Sequence, residues 1–166
     1  YELWLKGSVG ISQSGSWQVV DTVGIQTSYT FGGLNTLDSQ YCTRIVAIDS
    51  CAANRSPFST THCAIQLSGN PGQKENHLNW TAYKGWDSTA AYYVSNKNPK
   101  NPGWQIIDTL NGTDTSYTHT GIPCNRPQHY QIEGKNDSGF TAFSDSITLT
   151  PFDTVAPDAP AINYVT

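Results

Sequence analysis

Two stretches of this chain repeat one another. Trp17-Gln18-Val19-Val20-Asp21-Thr22 returns as Trp104-Gln105-Ile106-Ile107-Asp108-Thr109, and Thr27-Ser28-Tyr29-Thr30 returns as Thr115-Ser116-Tyr117-Thr118. Gly33-Leu34 returns as Gly121-Ile122, so the order is kept and the offset is 87 or 88 residues throughout. A period of that size is the length of a small domain. The 166 residues therefore hold two copies of one unit, of which the first is incomplete.

Each copy reads as β-strands. Residues 17–20 and 104–107 are aromatic, apolar and β-branched, which suits a pleated, half-buried surface. Tyr41, Thr43, Ile45 and Ala47 alternate onto one face, as do Leu78 and Trp80. Residues 142–149 do not alternate cleanly, which predicts a bulge there. Turn formers separate the strands at Lys6-Gly7-Ser8, Gly32-Gly33, Asn70-Pro71-Gly72, residues 98–103 and Asp137-Ser138-Gly139. No segment carries an apolar stripe of helical period. The pattern predicts an all-β chain of sandwich type.

Composition narrows the function classes. Charged residues are 13%, about half the ~25% usual for soluble domains, and turn formers with uncharged polar residues replace them. The nine Lys and Arg are scattered and the net charge is −4, so no clustered positive field exists to hold a phosphate backbone. Nucleic acid is not an expected partner. No apolar run approaches the ~20 residues that span a bilayer, so no membrane insertion is expected. Tyr1 opens directly on strand-like sequence with no signal peptide, which reads as an interior piece of a longer chain.

The chemistry-bearing residues point away from catalysis. His62, His77, His119 and His129 lie near no nucleophile motif, and Glu75 and Glu133 are isolated rather than paired. Cys42, Cys51, Cys63 and Cys124 form no Cys-x-x-Cys pair and have no histidine at ligand spacing. They predict one or two disulfides in an oxidising compartment, with no metal and no cofactor.

These strands and their order resemble the fibronectin type III domain. Leu78-Asn79-Trp80 resembles its second strand and Tyr92-Tyr93-Val94 its third, with Tyr1-Glu2-Leu3-Trp4 as the counterpart in the first copy. Residues 104–109 resemble the fourth strand, Ser116-Tyr117-Thr118 the fifth, Leu34 with residues 41–47 the tyrosine corner and sixth strand, and residues 59–67 the seventh. The resemblance implies tandem Ig-like (fibronectin type III) β-sandwiches: residues 1–67 a module lacking its first two strands, 68–152 a complete module, and 153–166 a Pro-containing linker with the first strand of another, at Ala161-Ile162-Asn163-Tyr164. In the second copy, spacing back from Gly134 puts Gln128 or Tyr130 at the tyrosine-corner position. An antiparallel sixth and seventh strand would set Cys42 opposite Cys63. Cys51–Cys63 is the alternative pairing, and Cys124 has no evident partner.

A narrower resemblance concerns Tyr41-Cys42, Asp49-Ser50-Cys51, Ser59 and His62-Cys63-Ala64-Ile65, which are similar to repeats of type IX-secreted, gliding-motility-associated bacterial surface proteins. Five Asp-Ser/Thr triplets resemble the O-glycosylation motif of the same bacteria, with acceptors Thr22, Ser88, Thr109, Ser146 and Thr154. Asn54, Asn79, Asn111 and Asn136 sit in Asn-x-Ser/Thr sequons, which matter only in a eukaryotic source. Tyr83, Trp86 and Trp104 are candidates for an exposed aromatic binding surface. The resulting expectation is a non-catalytic structural and adhesive array, extracellular or on a cell surface. Its partners would be other modules of the same chain and a surface protein or glycan. The alternative is a spacer or carbohydrate-binding accessory region of a secreted hydrolase.

Overall fold

The computed structural model describes residues 1–9, 15–49, 51, 53–156 and 159. The chain is all-β. Its strands are β1 (Glu2–Val9), β2 (Gln18–Thr22), β3 (Ser39–Val46), β4 (His62–Cys63), β5 (Leu67–Pro71), β6 (Glu75–Trp80), β7 (Ala91–Asn98), β8 (Asn101–Asn111), β9 (Ser116–Thr120), β10 (Gln128–Lys135), β11 (Thr141–Phe143) and β12 (Ile147–Leu149). The first unit is one sheet of order β2-β1-β3-β4. In the second unit a sheet of order β5-β6-β9 packs on one of order β11-β10-β7-β8, with β12 also on β10.

That second unit is an Ig-like sandwich of the fibronectin type III kind, and alternation builds its core. On β6, Asn76, Leu78 and Trp80 point inward between exposed His77 and Asn79. On β7 the buried positions are Tyr92, Val94 and Asn96, and on β10 they are Gln128, Tyr130, Ile132 and Gly134. Trp80 meets the Tyr92 ring edge-on with centroids 5.7 Å apart. Gly134 leaves room for its neighbours: a Cβ there would lie 3.0 Å from the ring of Tyr92, its cross-strand partner, and 3.2 Å from Ile65. Each fully buried large apolar side chain contributes about 1.5–3 kcal/mol, enough in number to hold one sandwich closed.

The first sheet is a second copy of the β8-β7-β10 sheet, down to its irregularity. Pairing of β1 with β2 slips between Leu3 and Trp4, and pairing of β7 with β8 slips between Val94 and Ser95. Leu3 opposes Asp21 and Ile45, just as Val94 opposes Asp108 and Ile132. What differs is the cover. Among the described residues the first sheet has no facing sheet, and two of the three equivalent positions diverge: Ile132 and Tyr92 are 0% exposed, Ile45 42% and Tyr1 49%, whereas Leu3 stays buried like Val94.

Some expectations change. Residues 27–30 repeat the sequence of β9 but form no strand. β9 exists by pairing with β6, and the first unit has no described counterpart of β6. The seventh strand expected over residues 59–67 is reduced to β4, because Ile65 and Leu67 belong to the second core and Leu67 opens β5. Ile65 and Leu67 thus pack with the second unit rather than the first. Residues 142–149 are divided into β11 and β12, with Ser144 between them still bonded to Ile132 in both directions, at 2.8 and 2.9 Å. The tyrosine corner forms at Tyr41, whose hydroxyl accepts the Asn35 N–H at 3.3 Å. The same register in the second unit holds Gln128, buried and accepting from Asn96 at 3.4 Å. Phe152 and Asp153 are tied to the β5–β6 turn by a bridge to Gln73 and a 2.8 Å ion pair with Lys74, so the stretch expected to begin the linker is held to the second unit. The strand expected at residues 161–164 lies outside the described residues, as do Pro157, Asp158 and Pro160 of the linker.

Two substitutions at one register position test the contrast. Ile132→Ala should destabilise by about 2–5 kcal/mol, the cost of a cavity in a closed core. Ile45→Ala should cost less than about 1 kcal/mol, because water already reaches that side chain. Urea denaturation followed by tryptophan fluorescence reads both.

Candidate functional site

Among the described residues, clustered polar or aromatic chemistry is found at the junction between the units, in a loop cleft on the second, in a polar trio within it, and around Arg44 on the first. At the junction only residues 64–66 separate β4 from β5. Gln40 donates to the Ala64 carbonyl and the Thr81 hydroxyl, both at 2.9 Å, and Gln66 donates to the Leu37 carbonyl at 3.2 Å. The Cys63 N–H donates to the Lys84 carbonyl at 2.9 Å, and the His62 ring nitrogen lies 2.7 Å from the Tyr83 hydroxyl. A hydrogen bond from Thr36 to Asp145 closes the other side. Gly85 adopts φ +126°, where any side chain would run into the His62 ring. These contacts come from β3 and the residues just before it, from β4 and the link to β5, and from the β6–β7 and β11–β12 connections, so both units are clamped.

One disulfide stands beside this clamp. Cys42 on β3 is the cross-strand partner of Cys63 on β4, and the two are joined with Cα atoms 3.9 Å apart. Cys51 is exposed in the loop between those strands, and Cys124 is a half-buried thiol of the second unit. On the outer face of the same sheet the Arg44 guanidinium lies 4.1 Å from the Trp17 ring centroid and 3.5 Å from that of Phe58, with Trp4 edge-on to Phe58. Sequence reading missed this stack because Arg44, Trp4 and Phe58 come from separate segments.

The three aromatic candidates do not form one surface. Tyr83 is a half-buried junction residue, and burial raises its hydroxyl pKa. Trp86 stacks on Tyr83 with centroids 4.0 Å apart. Trp104 lies toward the opposite end of β7, beside Lys97 at 4.7 Å. Trp86 instead faces a different neighbour. With Asp87, Ser88, Asn136, Asp137 and Phe140 it lines a cleft of about 300 Å³ between the β6–β7 and β10–β11 loops. Phe140 is 66% exposed, yet the Asn136 carboxamide accepts its N–H at 2.8 Å and Gly139 turns the chain at φ +86°. An aromatic directly after Asp137-Ser138-Gly139 was the signal for it in the sequence.

The proposed acceptors Thr22, Ser88, Thr109, Ser146 and Thr154 are all exposed. In three triplets the aspartate accepts the acceptor's own N–H: Asp21 from Thr22 at 2.7 Å, Asp108 from Thr109 at 2.7 Å and Asp145 from Ser146 at 3.0 Å. Thr22 and Thr109 occupy matching places on β2 and β8, which are edge strands. The Ser88 hydroxyl is bonded to Asp137 at 3.2 Å, and that of Thr154 to Gln73 at 3.3 Å.

The histidines contact hydroxyls: besides His62 with Tyr83, His77 and His129 lie against Thr118 and Thr148. His119 lies 2.9 Å from the Tyr130 hydroxyl, which also accepts from buried Asn76 at 3.0 Å. Burial pushes the Tyr130 hydroxyl up to about 12, and burial holds His119 below the usual histidine value. Among the described residues no three His, Cys, Asp or Glu side chains converge as a metal site would require. No helix among them is long and apolar enough to cross a membrane.

No family model matches the sequence, and no curated protein matches it. Solved structures similar to the chain include pectate lyase PelI from Erwinia chrysanthemi, at 15% identity and TM-score 0.45, covering 51% of this chain and 28% of that one. The fn3 domain of the human collagen alpha-1(XX) chain matches at 9% identity and TM-score 0.48, covering 70% of this chain and 99% of that one. The FN1–FN3 domains of chicken CNTN1 match at 14% identity and TM-score 0.47, covering 92% and 56%. The chain thus spans little more than a quarter of the pectate lyase, and these likenesses add nothing on ligands.

Two outcomes follow. Replacing Cys42 and Cys63 by Ser opens a loop with a sequence separation of 21, which should cost the first unit about 3 kcal/mol in urea. The polar trio makes the second unit's stability pH-dependent at both ends. Folded His119 takes up a proton less readily than unfolded His119, so stability falls as pH drops below about 6.5. Tyrosines ionise near 10.0 when unfolded but Tyr130 only near 12 when folded, so stability also falls as pH rises through that window. Tyr83 and Tyr117, likewise raised by burial, act in the same direction. Denaturation against pH should show His119→Gln flattening the first slope and Tyr130→Phe reducing the second.

Proposed function

We propose that the chain is a non-catalytic structural and adhesive module array of a secreted or cell-surface protein. The observation that carries this reading is the junction: two copies of one sheet joined through three residues and clamped from both sides. A fixed angle between successive units makes a stiff spacer, which suits reach and display. The surface of few charges and the disulfide fit an oxidising, extracellular setting. A bacterial, gliding-associated source with O-glycans is the finer form of this proposal, supported by the triplets and by their repeated geometry at Thr22 and Thr109. A glycan on an edge strand would block edge-to-edge pairing, and β2 and β8 need such protection because Val19, Val20 and Ile106 are exposed.

The loop cleft favours a second reading, an accessory region that contacts carbohydrate. Trp86 and Phe140 supply ring faces, and Asp87, Asn136 and Asp137 supply hydrogen-bonding groups around them.

Residual dipolar couplings test the first reading. Both units should fit one alignment tensor, and Gln40→Ala with Gln66→Ala should split it into two; two tensors in the unaltered chain would refute a stiff array. Intact mass of the protein from its native source should exceed the polypeptide mass by whole glycans, and by fewer after Thr22→Ala and Thr109→Ala. For the second reading, a panel of neutral and acidic oligosaccharides should change tryptophan fluorescence, and Trp86→Ala or Phe140→Ala should each weaken binding at least tenfold.

A further inference from the structure

The row of residues that crosses the first sheet at its disulfide begins and ends in a cation. Lys6 on β1 is the cross-strand partner of Cys42 on β3, and Cys42 is that of Cys63 on β4. Cys63 is in turn bridged to Lys84 in the β6–β7 loop. At about 4.8 Å per strand, the two lysines flank the disulfide closely from opposite sides. Both line a cleft of about 240 Å³ over the two cysteines, together with Trp17 and Thr61. Lys6 belongs to the first unit and Lys84 to the second, so closure of the junction assembles the cleft. Among the described residues no carboxylate lines it and neither lysine is in an ion pair. Glu2, on the same face of β1, is engaged by Arg55 and by the Trp4 Nε1–H at 3.3 Å. The cleft is thus a local positive field on a chain of net charge −4.

The second copy shows how the first departs from its own pattern. Lys97 and Trp104 stand where Lys6 and Trp17 stand, and the Lys97 ammonium lies 4.7 Å from the Trp104 ring centroid. In the first copy Arg44 holds that place over Trp17, at 4.1 Å. The position of Arg44 is filled in the second copy by Gln131, which has no charge and leaves Trp104 to its lysine. Arg44 therefore frees Lys6 from the ring and leaves it to the cleft.

We infer that this cleft binds one residue of an acidic sugar, with its anionic group between Lys6 and Lys84 and its ring against Trp17. Lysine is a compact point charge with rotatable donors, so two of them on opposite sides suit a single carboxylate or sulfate. A pyranose ring offers an apolar face to the indole and hydroxyls to Thr61. A phosphate-backbone polymer would call for a longer run of cations. The site shares no lining residue with the cleft of Trp86 and Phe140, so it stands or falls apart from the carbohydrate reading of that cleft.

The experiment titrates the isotope-labelled full chain with glucuronic acid, glucose 6-sulfate, glucose and inorganic phosphate, read by NMR. Glucuronic acid, glucose 6-sulfate or both should shift the Trp17 indole N–H and the amides of Lys6 and Lys84, and the tighter of the two names the anionic group. Lys6→Gln and Lys84→Gln should each weaken that binding about tenfold, and raising the salt from about 0.01 to 0.15 M should weaken it further. Lys97→Gln, at the matching place in the second copy, should leave it unchanged, as should Trp86→Ala. The amides of Leu3 and Tyr92 report in each sample that both units are folded. Absence of Trp17 shifts up to about 50 mM sugar, where even a weak site fills, overturns the inference. So does glucose binding as tightly as the acidic sugars, since the lysines would then play no part. Phosphate binding as tightly as either acidic sugar also overturns it, since the ring would then play none. Shifts confined to Trp86 and Phe140 overturn it while supporting the other cleft.

Discussion

A β-sheet with one apolar face is stable only when that face is covered, and this chain presents the same sheet in both conditions. In the second unit, the β5-β6-β9 sheet lies over Tyr92, Val94, Tyr130 and Ile132 and excludes water from them. In the first unit the matching face is covered only in part among the described residues, Leu3 being buried while Ile45 and Tyr1 are exposed, and its stability rests on cross-strand pairing, the Cys42–Cys63 disulfide and the outer-face stack around Arg44. The polar trio of Asn76, His119 and Tyr130 stands where cover exists, and burial there shifts the proton binding of His119 and Tyr130.

The junction depends on that same cover. Ile65 and Leu67 are core residues of the second unit, so the chain leaving β4 is pulled directly into β5. This leaves no slack for a flexible linker, and the Gln40 and Gln66 hydrogen bonds then fix the angle. Stiffness between units therefore follows from how far the second core reaches back along the sequence.

Much of the fold was legible in the sequence. Alternation at residues 41–47 and 77–80 gives β3 and β6, and the repeat gives the matched β1-β2 and β7-β8 pairs. Local pattern could not show that residues 27–30 stay unpaired, since Tyr29 and Tyr117 sit in identical four-residue sequences and only the neighbouring strand differs. Nor could it show that Leu67 belongs to the second core, because an apolar residue at a boundary suits either side. The candidate sites were less legible. Tyr83 and Trp86 were visible as aromatics, but their stacking depends on the path of one loop, and the partnership of Trp86 with Phe140 requires loops more than fifty residues apart to meet. Trp104 has the composition of a binding residue and the location of an edge-strand one.

Native-state hydrogen exchange, read residue by residue on the unaltered chain, tests this dependence most directly. Amides of β6, β7 and β10 should exchange only through global unfolding of the second unit. Those of β1 and β3, though paired in the same register, should exchange through smaller openings at least a hundredfold faster, an opening free energy lower by about 2.7 kcal/mol. Equal protection of the two sheets would contradict the account, because it would mean that the sheet does not need its cover.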